Sequence, residues 1–449
     1  MDKVDHLVLC GGASGSPKVK SDQTVRLDLS GDDPNVDLEI VNISRRLSSD
    51  VPDVIVDLIE IASYVYCADQ AVTRGGEGVL VLGAGWRRHF IFHIPVRLPD
   101  IWSSAQVMDA LKSTLSFLSD DEYDFRFERR HSAVPIQQYL RFGDGDSEVL
   151  EIERVLLFSG GLDSLGGAAQ ESVLESRRVA LVSHRSNPRL SNRQARLIQE
   201  LHAVSNHGPP LHVPVWVHQR GAGGREYTQR SRSFLYASLA FAVARVFGLD
   251  RIRFYENGVV SLNPPISEQA IGGRATRTTH PQVLYGFAKL FSHLIQQTFA
   301  VENPFLWRTR AELVNLIGDA GCGELIQHSV SCVHTREQTK EKSHCGRCSQ
   351  CVGRRFATLA SRYAESDPED IYKVDLLKGD READKDLTLV ESFIRTALEM
   401  KYMADDELIA RYAGEFSRVA RHVPGMTADQ VAFEIAALNR KHGSKSIGL

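Results

Sequence analysis

The spacing of apolar and polar positions divides the chain into three stretches of different rhythm. Over residues 1–150 the pattern is mixed. Apolar runs at 6–10, 24–29 and 36–43 predict strands, the second with clear alternation, and 51–72 carries apolar side chains at helical spacing. A strand at 86–96, a helix at 105–118 and a strand at 123–127 follow, which predicts an N-terminal α+β domain. Over 151–375, strands at 155–158, 179–183, 211–217 and 252–255 alternate with helices at 165–177, 190–203 and 231–247. That rhythm predicts an α/β domain with a doubly wound parallel sheet, whose ligands bind beyond the carboxyl ends of the strands. Over 376–449, charged linker-like sequence leads into helical patterns at 387–403, 405–421 and 427–442, a helical C-terminal subdomain. Thr427 and Gln430 have capping-box spacing, and 441–449 reads as a frayed end.

A length of 449 residues exceeds what one core holds and agrees with this division. The apolar and charged fractions, 43% and 24%, are those of an ordinary soluble protein, and a formal charge of −4 gives no global pull toward nucleic acid or membrane. No apolar run approaches the roughly 20 residues of a membrane span. The acidic start, Met1 to Asp5, is unlike a signal peptide, so a cytoplasmic location is expected. In that reducing setting the cysteine spacing points to metal rather than disulfides: Cys332 stands upstream of Cys345, Cys348 and Cys351 in a C-x₂-C-x₂-C run. Four thiolates suit a tetrahedral structural Zn²⁺; an iron–sulfur cluster accepts the same set, and His334 or His344 could replace a thiolate. Cys10, Cys67 and Cys322 are scattered and read as small buried apolar residues.

The densest chemistry lies at Ser159-Gly160-Gly161-Leu162-Asp163-Ser164, between the strand at 155–158 and the next helix. A glycine turn opening a helix directs backbone N–H groups and the positive helix end at one spot, an anion site. Ser159 and Ser164 add hydroxyl donors, whereas Asp163 would repel a bare phosphate and so calls for Mg²⁺. Other polar residues fall at strand ends: His184 and Arg185, His218 to Arg220, and Glu256 to Gly258 with Asn257 among them. Arg232 stands at a helix start, where it faces an anion or solvent. The stretch from 263 to 281, with Thr276, Arg277, Thr278 and His280, lacks periodicity and is dense in donors, as a loop over a substrate would be. Arg347, Arg354, Arg355 and Arg362 form a basic run with no acid between them, read as a solvated helix face or a contact for RNA phosphate or a substrate carboxylate. Asp69, Arg74, Trp86 and Arg87 read as loop polarity or a partner surface.

Ser159 to Ser164 resembles the PP-loop of the ATP pyrophosphatases. Together with Ser331-Cys332, the Cys345–Cys351 run and Arg354, it resembles the 7-cyano-7-deazaguanine synthase (QueC) family over roughly residues 153–362. Three features depart from that family. Gln229 to Ser233 replaces a Pro-Gly-Arg-Asn-like segment, 276–281 replaces the substrate loop, and both ends of the chain are extended. The extended plan resembles the QueC-like branch of bacterial anti-phage systems (Qat and type IV CBASS). The resemblance implies a PP-loop (HUP-like) fold with a zinc-binding insert. It also implies ATP held by Ser159 to Ser164 with His184, Asp163 and Ser164 acting in catalysis, and Zn²⁺ on the four cysteines. The implied reaction adenylates a 7-deazaguanine carboxylate, releases pyrophosphate and joins the acyl group to an amine, either ammonia or the N-terminus of a partner protein. Substrate contacts are expected from Arg232, Asn257, Thr276, Arg277, Thr278 and His280. A tRNA-modifying PP-loop enzyme and a non-catalytic nucleotide-sensing scaffold are the rival readings.

Overall fold

The computed structural model describes residues 5–14, 23–31, 33–41, 51–74, 86–130, 140–141, 151–184, 188–205, 208–221, 226, 229–262, 277–334, 337–381 and 384–447. Strands β1 (Asp5–Cys10), β2 (Thr24–Leu27) and β3 (Val36–Val41) precede helix α1 (Asp53–Ala71); β4 (His89–Val96), α2 (Ala105–Ser119) and β5 (Glu122–Arg129) follow. β1, β2, β4 and β5 make one sheet in the order β2-β1-β4-β5, parallel throughout. Parallel neighbours need long crossovers; α1 lies on the way from β1 to β4 and α2 on the way from β4 to β5. The mixture that reads as α+β in sequence is thus wound in the α/β manner.

β3 leaves that sheet. It joins β6 (Leu140–Arg141), β7 (Arg154–Leu157), β8 (Val179–His184), β9 (Leu211–Gln219), β10 (Arg251–Arg253) and β11 (Ala300–Glu302) in a seven-stranded sheet of order β11-β10-β7-β8-β9-β3-β6. β11 through β9 are parallel, while β3 runs antiparallel to β9 and carries β6 beside it. Strands from before residue 150 therefore cover the β9 edge, which would otherwise present unpaired backbone groups. The chain runs β7, β8, β9 in one direction and then crosses back to β10 on the other side of β7, so the strand order reverses between β7 and β10.

The helices of this part are α3 (Leu162–Ala169), α4 (Pro188–Val204), α5 (Arg232–Val246), α6 (Gly258–Leu262), α7 (Pro281–Ile295), α8 (Arg310–Ile317) and α9 (Ser349–Leu359). One continuous apolar core joins both sheets through α1, α2, α5 and α7. α1 is buried from Val54 to Asp69, as its apolar side chains on every face require. A second core covers the opposite face of the large sheet, with Leu162 and Leu165 of α3, Leu197 and Leu201 of α4, and Leu313, Val314 and Ile317 of α8. Helices on both faces bear out the doubly wound reading.

The tail folds as α10 (Asp384–Tyr402), α11 (Asp405–Arg411), α12 (Ala413–Ala420) and α13 (Ala428–Ile447). The helix expected over 405–421 is interrupted at Tyr412, and the last helix runs on to Ile447 where the sequence suggested fraying. Thr427 and Gln430 close the expected capping box, each backbone N–H donating to the other side chain (2.8 and 3.2 Å). Among the described residues no helix is long and apolar enough to cross a membrane. A Cβ on Gly443 would lie 2.4 Å from the Ala397 carbonyl oxygen and 2.9 Å from Lys401 N, so α13 and α10 meet backbone to backbone at this point. Gly443→Val is expected to cost roughly 1–3 kcal/mol by overpacking, read as a lower chemical-denaturation midpoint. An unchanged midpoint would show that the two helices do not seat this way.

Candidate active site and metal centre

The reversal of strand order makes the crevice between β7 and β10 the expected ligand site. Leaving β7, the chain turns at Gly160, whose φ of +80° disfavours any residue with a side chain. Gly161 is the N-cap of α3 and offers no side-chain cap, so the helix starts with N–H groups that lack intrahelical partners. Ser159 Oγ accepts from Gly161 N (3.2 Å) and lies 3.1 Å from Ser164 Oγ; Ser164 Oγ donates to Gly161 O (3.0 Å). Gln194 Nε2 donates to Ser159 O (3.1 Å). A segment distant in sequence closes the loop: Val330 N donates to Gly160 O (2.9 Å), and Ser331 Oγ accepts from Leu162 N (3.4 Å).

Asp163 lies in the first turn of α3 and is buried. Arg310, the first residue of α8, donates to it through Nη2 (2.7 Å) and Nε (3.2 Å), and Asn257 Nδ2 stands 3.4 Å from both carboxylate oxygens. Arg310 Nη2 also donates to Gln350 Oε1 (3.0 Å) and is 3.5 Å from Glu256 Oε1. Burial pushes the Asp163 carboxyl up, but the Arg310 charge and hydrogen bonds from Glu256, Arg310 and Asn257 outweigh it and hold the group below the usual carboxylate range. Glu256 is driven well above its ordinary range by burial and by the Asp163 charge, so it carries the proton shared between the two acids. Two carboxyls beside an anion-binding glycine turn are hard oxygen donors of the kind Mg²⁺ takes, so the residues fit a nucleotide with its Mg²⁺.

The strand order sorts the sequence-derived candidates. Asn257 follows β10 and reaches Asp163. His184 ends β8, on the side of β7 away from β10, and is buried with its ring edge-on to Tyr66 and Tyr236 (5.3 and 5.7 Å). Burial lowers its pKa to about 4. Arg232 begins α5 and is exposed, while Ser231 before it donates through N and Oγ to Asp69 (2.9 and 2.8 Å). Arg277 stacks over Phe117 (4.6 Å) and donates to its carbonyl (2.9 Å). His280 caps α7 by accepting from Gln282 N (3.1 Å), and its Nε2 meets Glu415 of α12 (2.7 Å). These two side chains join α2 and α12 to the body rather than entering the crevice. Thr278 is partly exposed beside Thr279, whose Oγ1 lies 2.9 Å from Ser261 Oγ. Ser261 in turn donates to Glu256 O (3.4 Å), which leads back to the crevice. Thr276 and Arg185 lie outside the described residues. Arg310 was missed in the sequence. The signal that could have found it is the Thr309–Glu312 capping box, which marks a helix start soon after β11.

The sulfurs of Cys332, Cys345, Cys348 and Cys351 are buried and lie within 4.8 Å of one another. A tetrahedral Zn²⁺ with Zn–S bonds of about 2.3 Å needs sulfurs about 3.8 Å apart, and Cys345 and Cys351 are 3.9 Å apart. Arg347 N and Cys348 N both donate to Cys345 Sγ (3.4 Å each), around a turn made by Gly346 at φ +76°. A Cβ at Gly346 would strike the Val374 carbonyl at 1.8 Å. The histidines are occupied elsewhere: His344 with Ser343 Oγ (2.8 Å) and Ser331 N (3.5 Å), and the exposed His334 with Glu337 (3.3 Å). The cluster fits zinc.

The basic run is split: Arg354 and Arg355 are buried, whereas Arg347 is partly exposed and Arg362 exposed. Arg354 is fully buried, bound to Asp367 (2.8 and 3.0 Å), Ser329 Oγ (2.8 Å) and Ile326 O (2.6 Å). Arg355 meets Asp375 (3.2 Å), Arg347 meets Glu337 (2.8 Å) and Arg362 meets Asp319 (2.6 Å). Asp69 and Arg74 are also buried, in a cluster where Arg74 donates to Asp121 (2.5 and 2.9 Å) and Arg88 to Asp69 (2.5 Å) and Asp121 (2.7 Å). Asp69 and Arg74 are therefore not loop polarity open to a partner, whereas Arg87 is exposed and pairs with Asp120 (2.9 Å).

Cys348→Ala is expected to lower bound zinc and the melting temperature together, because structural zinc contributes on the order of 10 kcal/mol to local folding. An unchanged melting curve with zinc lost would exclude a structural role. His184, neutral in the folded chain with a pKa of about 4 against 6.5 unfolded, contributes stability that is complete above pH 6.5 and is lost as pH falls toward 4. The loss amounts to about 3 kcal/mol. His184→Leu should therefore flatten the fall in unfolding free energy between pH 7 and 5, whereas an equally steep fall would place the effect in other groups.

The family model described as "Queuosine biosynthesis protein QueC" matches residues 273–361. The match takes in α7, α8 with Arg310, and all four cysteines, and stops short of the glycine loop. No curated protein matches the chain significantly. The chain is thus similar to QueC over the segment that carries the four cysteines, about a fifth of its length.

Proposed function

We propose that the protein is an ATP-dependent ligase that adenylates a 7-deazaguanine carboxylate and joins the acyl group to an amine. The observation that carries this reading is the meeting of an uncapped glycine turn with Asp163, Glu256 and Arg310 at the β7–β10 crevice. The N–H groups of the turn and the hydroxyls of Ser159 and Ser164 would hold the β- and γ-phosphates. A carboxylate oxygen of the substrate attacks the α-phosphorus, the bond to the bridging oxygen breaks, and pyrophosphate leaves. An amine nitrogen then attacks the acyl carbon, AMP leaves with the electron pair of the acyl–oxygen bond, and the amine loses a proton to solvent. Asp163 and Glu256 would hold the Mg²⁺, which supplies charge neutralisation on the phosphates when bound. Positioning and charge neutralisation suffice for such a transfer, so no side-chain nucleophile is required. The 7-deazaguanine ring as the acyl donor rests on the QueC similarity. A partner protein's N-terminus as acceptor, in anti-phage defence, rests on the resemblance of the extended chain plan to that branch. Of the arginines that suggested a tRNA contact, Arg354 and Arg355 are buried and paired internally, which weakens the feature that favoured that rival.

With ATP, Mg²⁺ and 7-carboxy-7-deazaguanine, the purified protein is expected to release pyrophosphate only when the carboxylate is present and to form an amide or nitrile mass with ammonia or the acceptor. Absence of carboxylate-dependent pyrophosphate would refute the ligase reading. Asp163→Asn should lower that release by about 100-fold or more. It should keep the fold, because Glu256 can ionise and accept Arg310.

A further inference from the structure

The glycine loop carries no lysine, so negative charge developing at the α-phosphate has no cation of the loop to meet it. Arg310 is the cation bound to the crevice acids, and three acceptors, from Asp163, Glu256 and Gln350, crowd its Nη2. Nη1 has no hydrogen-bond partner among the described residues, and it lies 3.3 Å from where a Cβ on Gly353 would stand. The Arg310 backbone is fixed at the first position of α8 by the Thr309–Glu312 capping box, so the side chain can change partners without moving the helix. Gln350 lies between Cys348 and Cys351 in sequence, and holds the guanidinium from the side of the four-cysteine cluster. One arginine facing one ionised and one protonated acid leaves this part of the crevice neutral. A divalent cation arriving at Asp163 would meet the guanidinium at close range and be repelled. Nucleotide phosphates bring the compensating negative charge, and a planar guanidinium suits two phosphate oxygens better than an ammonium does.

We propose that Arg310 is a catalytic residue that exchanges partners. Its guanidinium competes with a divalent cation for the Asp163 carboxylate, and nucleotide phosphates would draw it to the α-phosphate and leave Asp163 to Mg²⁺. This rests on the ligase reading for its kinetic half only. The metal half concerns the free protein.

The test titrates Mn²⁺ by electron paramagnetic resonance into wild-type protein, Arg310→Met and Arg310→Lys, without nucleotide and with α,β-methylene-ATP. Without nucleotide, Arg310→Met is expected to bind Mn²⁺ about tenfold more tightly than wild type, because the competing charge is gone. The nucleotide analogue should tighten Mn²⁺ binding in wild type by a larger factor than in Arg310→Met. Equal Mn²⁺ affinities in the two proteins would overturn the exchange. In pyrophosphate release, Arg310→Met should lose about 100- to 1000-fold in kcat, with KM for ATP within about threefold. Should Arg310→Met fail to fold, Arg310→Lys decides: Mn²⁺ affinity near wild type with kcat lower by about tenfold supports the exchange, and unchanged kcat overturns it. If wild type releases no pyrophosphate with the carboxylate, the ligase reading fails and the Mn²⁺ titration alone still decides the partner exchange.

Discussion

The geometry of the crevice depends on two hydrogen bonds from one short segment. Val330 N to Gly160 O and Leu162 N to Ser331 Oγ pin the glycine turn to the chain that supplies Cys332 in the next position. A turn at positive φ with an uncapped helix behind it is held weakly by its own residues. Here a distant segment holds it, and that segment contributes Cys332 to a four-cysteine cluster whose other three sulfurs come from the start of α9 and the turn before it. The glycine turn and the four-cysteine cluster are therefore parts of one local structure.

Buried charge does similar joining elsewhere. Taking an ion from water costs several kcal/mol, and a buried pair is tolerated only when its hydrogen bonds are satisfied. Asp69 meets Arg88 and the start of α5, and Arg74 and Arg88 share Asp121. Strands and helices from before residue 150 are thereby locked onto the large sheet, in addition to the β3–β9 pairing. Arg354 and Asp367 do the same beneath the metal centre, tying α9 to the segment that follows it. His280 and Glu415 attach the helical tail near the entry to α7.

Much of the plan was legible in the chain because it depends on local physics. Alternation and helical spacing marked most elements to within a few residues, since burial of one face demands that periodicity. The glycine turn and the cysteine run were legible for the same reason: left-handed backbone needs glycine, and a tetrahedral metal needs close thiolates. The interruption at Tyr412 and the continuation to Ile447 were not legible, because tertiary packing overrides propensity at helix ends.

What the sequence by itself determined is the set of elements, the glycine turn at 159–164 and the four-cysteine cluster. What only the tertiary structure decided is which polar residues meet. Strand order put Asn257, Glu256 and Arg310 beside Asp163 and buried His184 on the far side of β7. It also supplied acids from residues 319, 337, 367 and 375 to arginines whose own stretch contains none. A side chain's charge is written in the sequence. The partner that neutralises it is set by chain crossings over long separations, which no local pattern encodes.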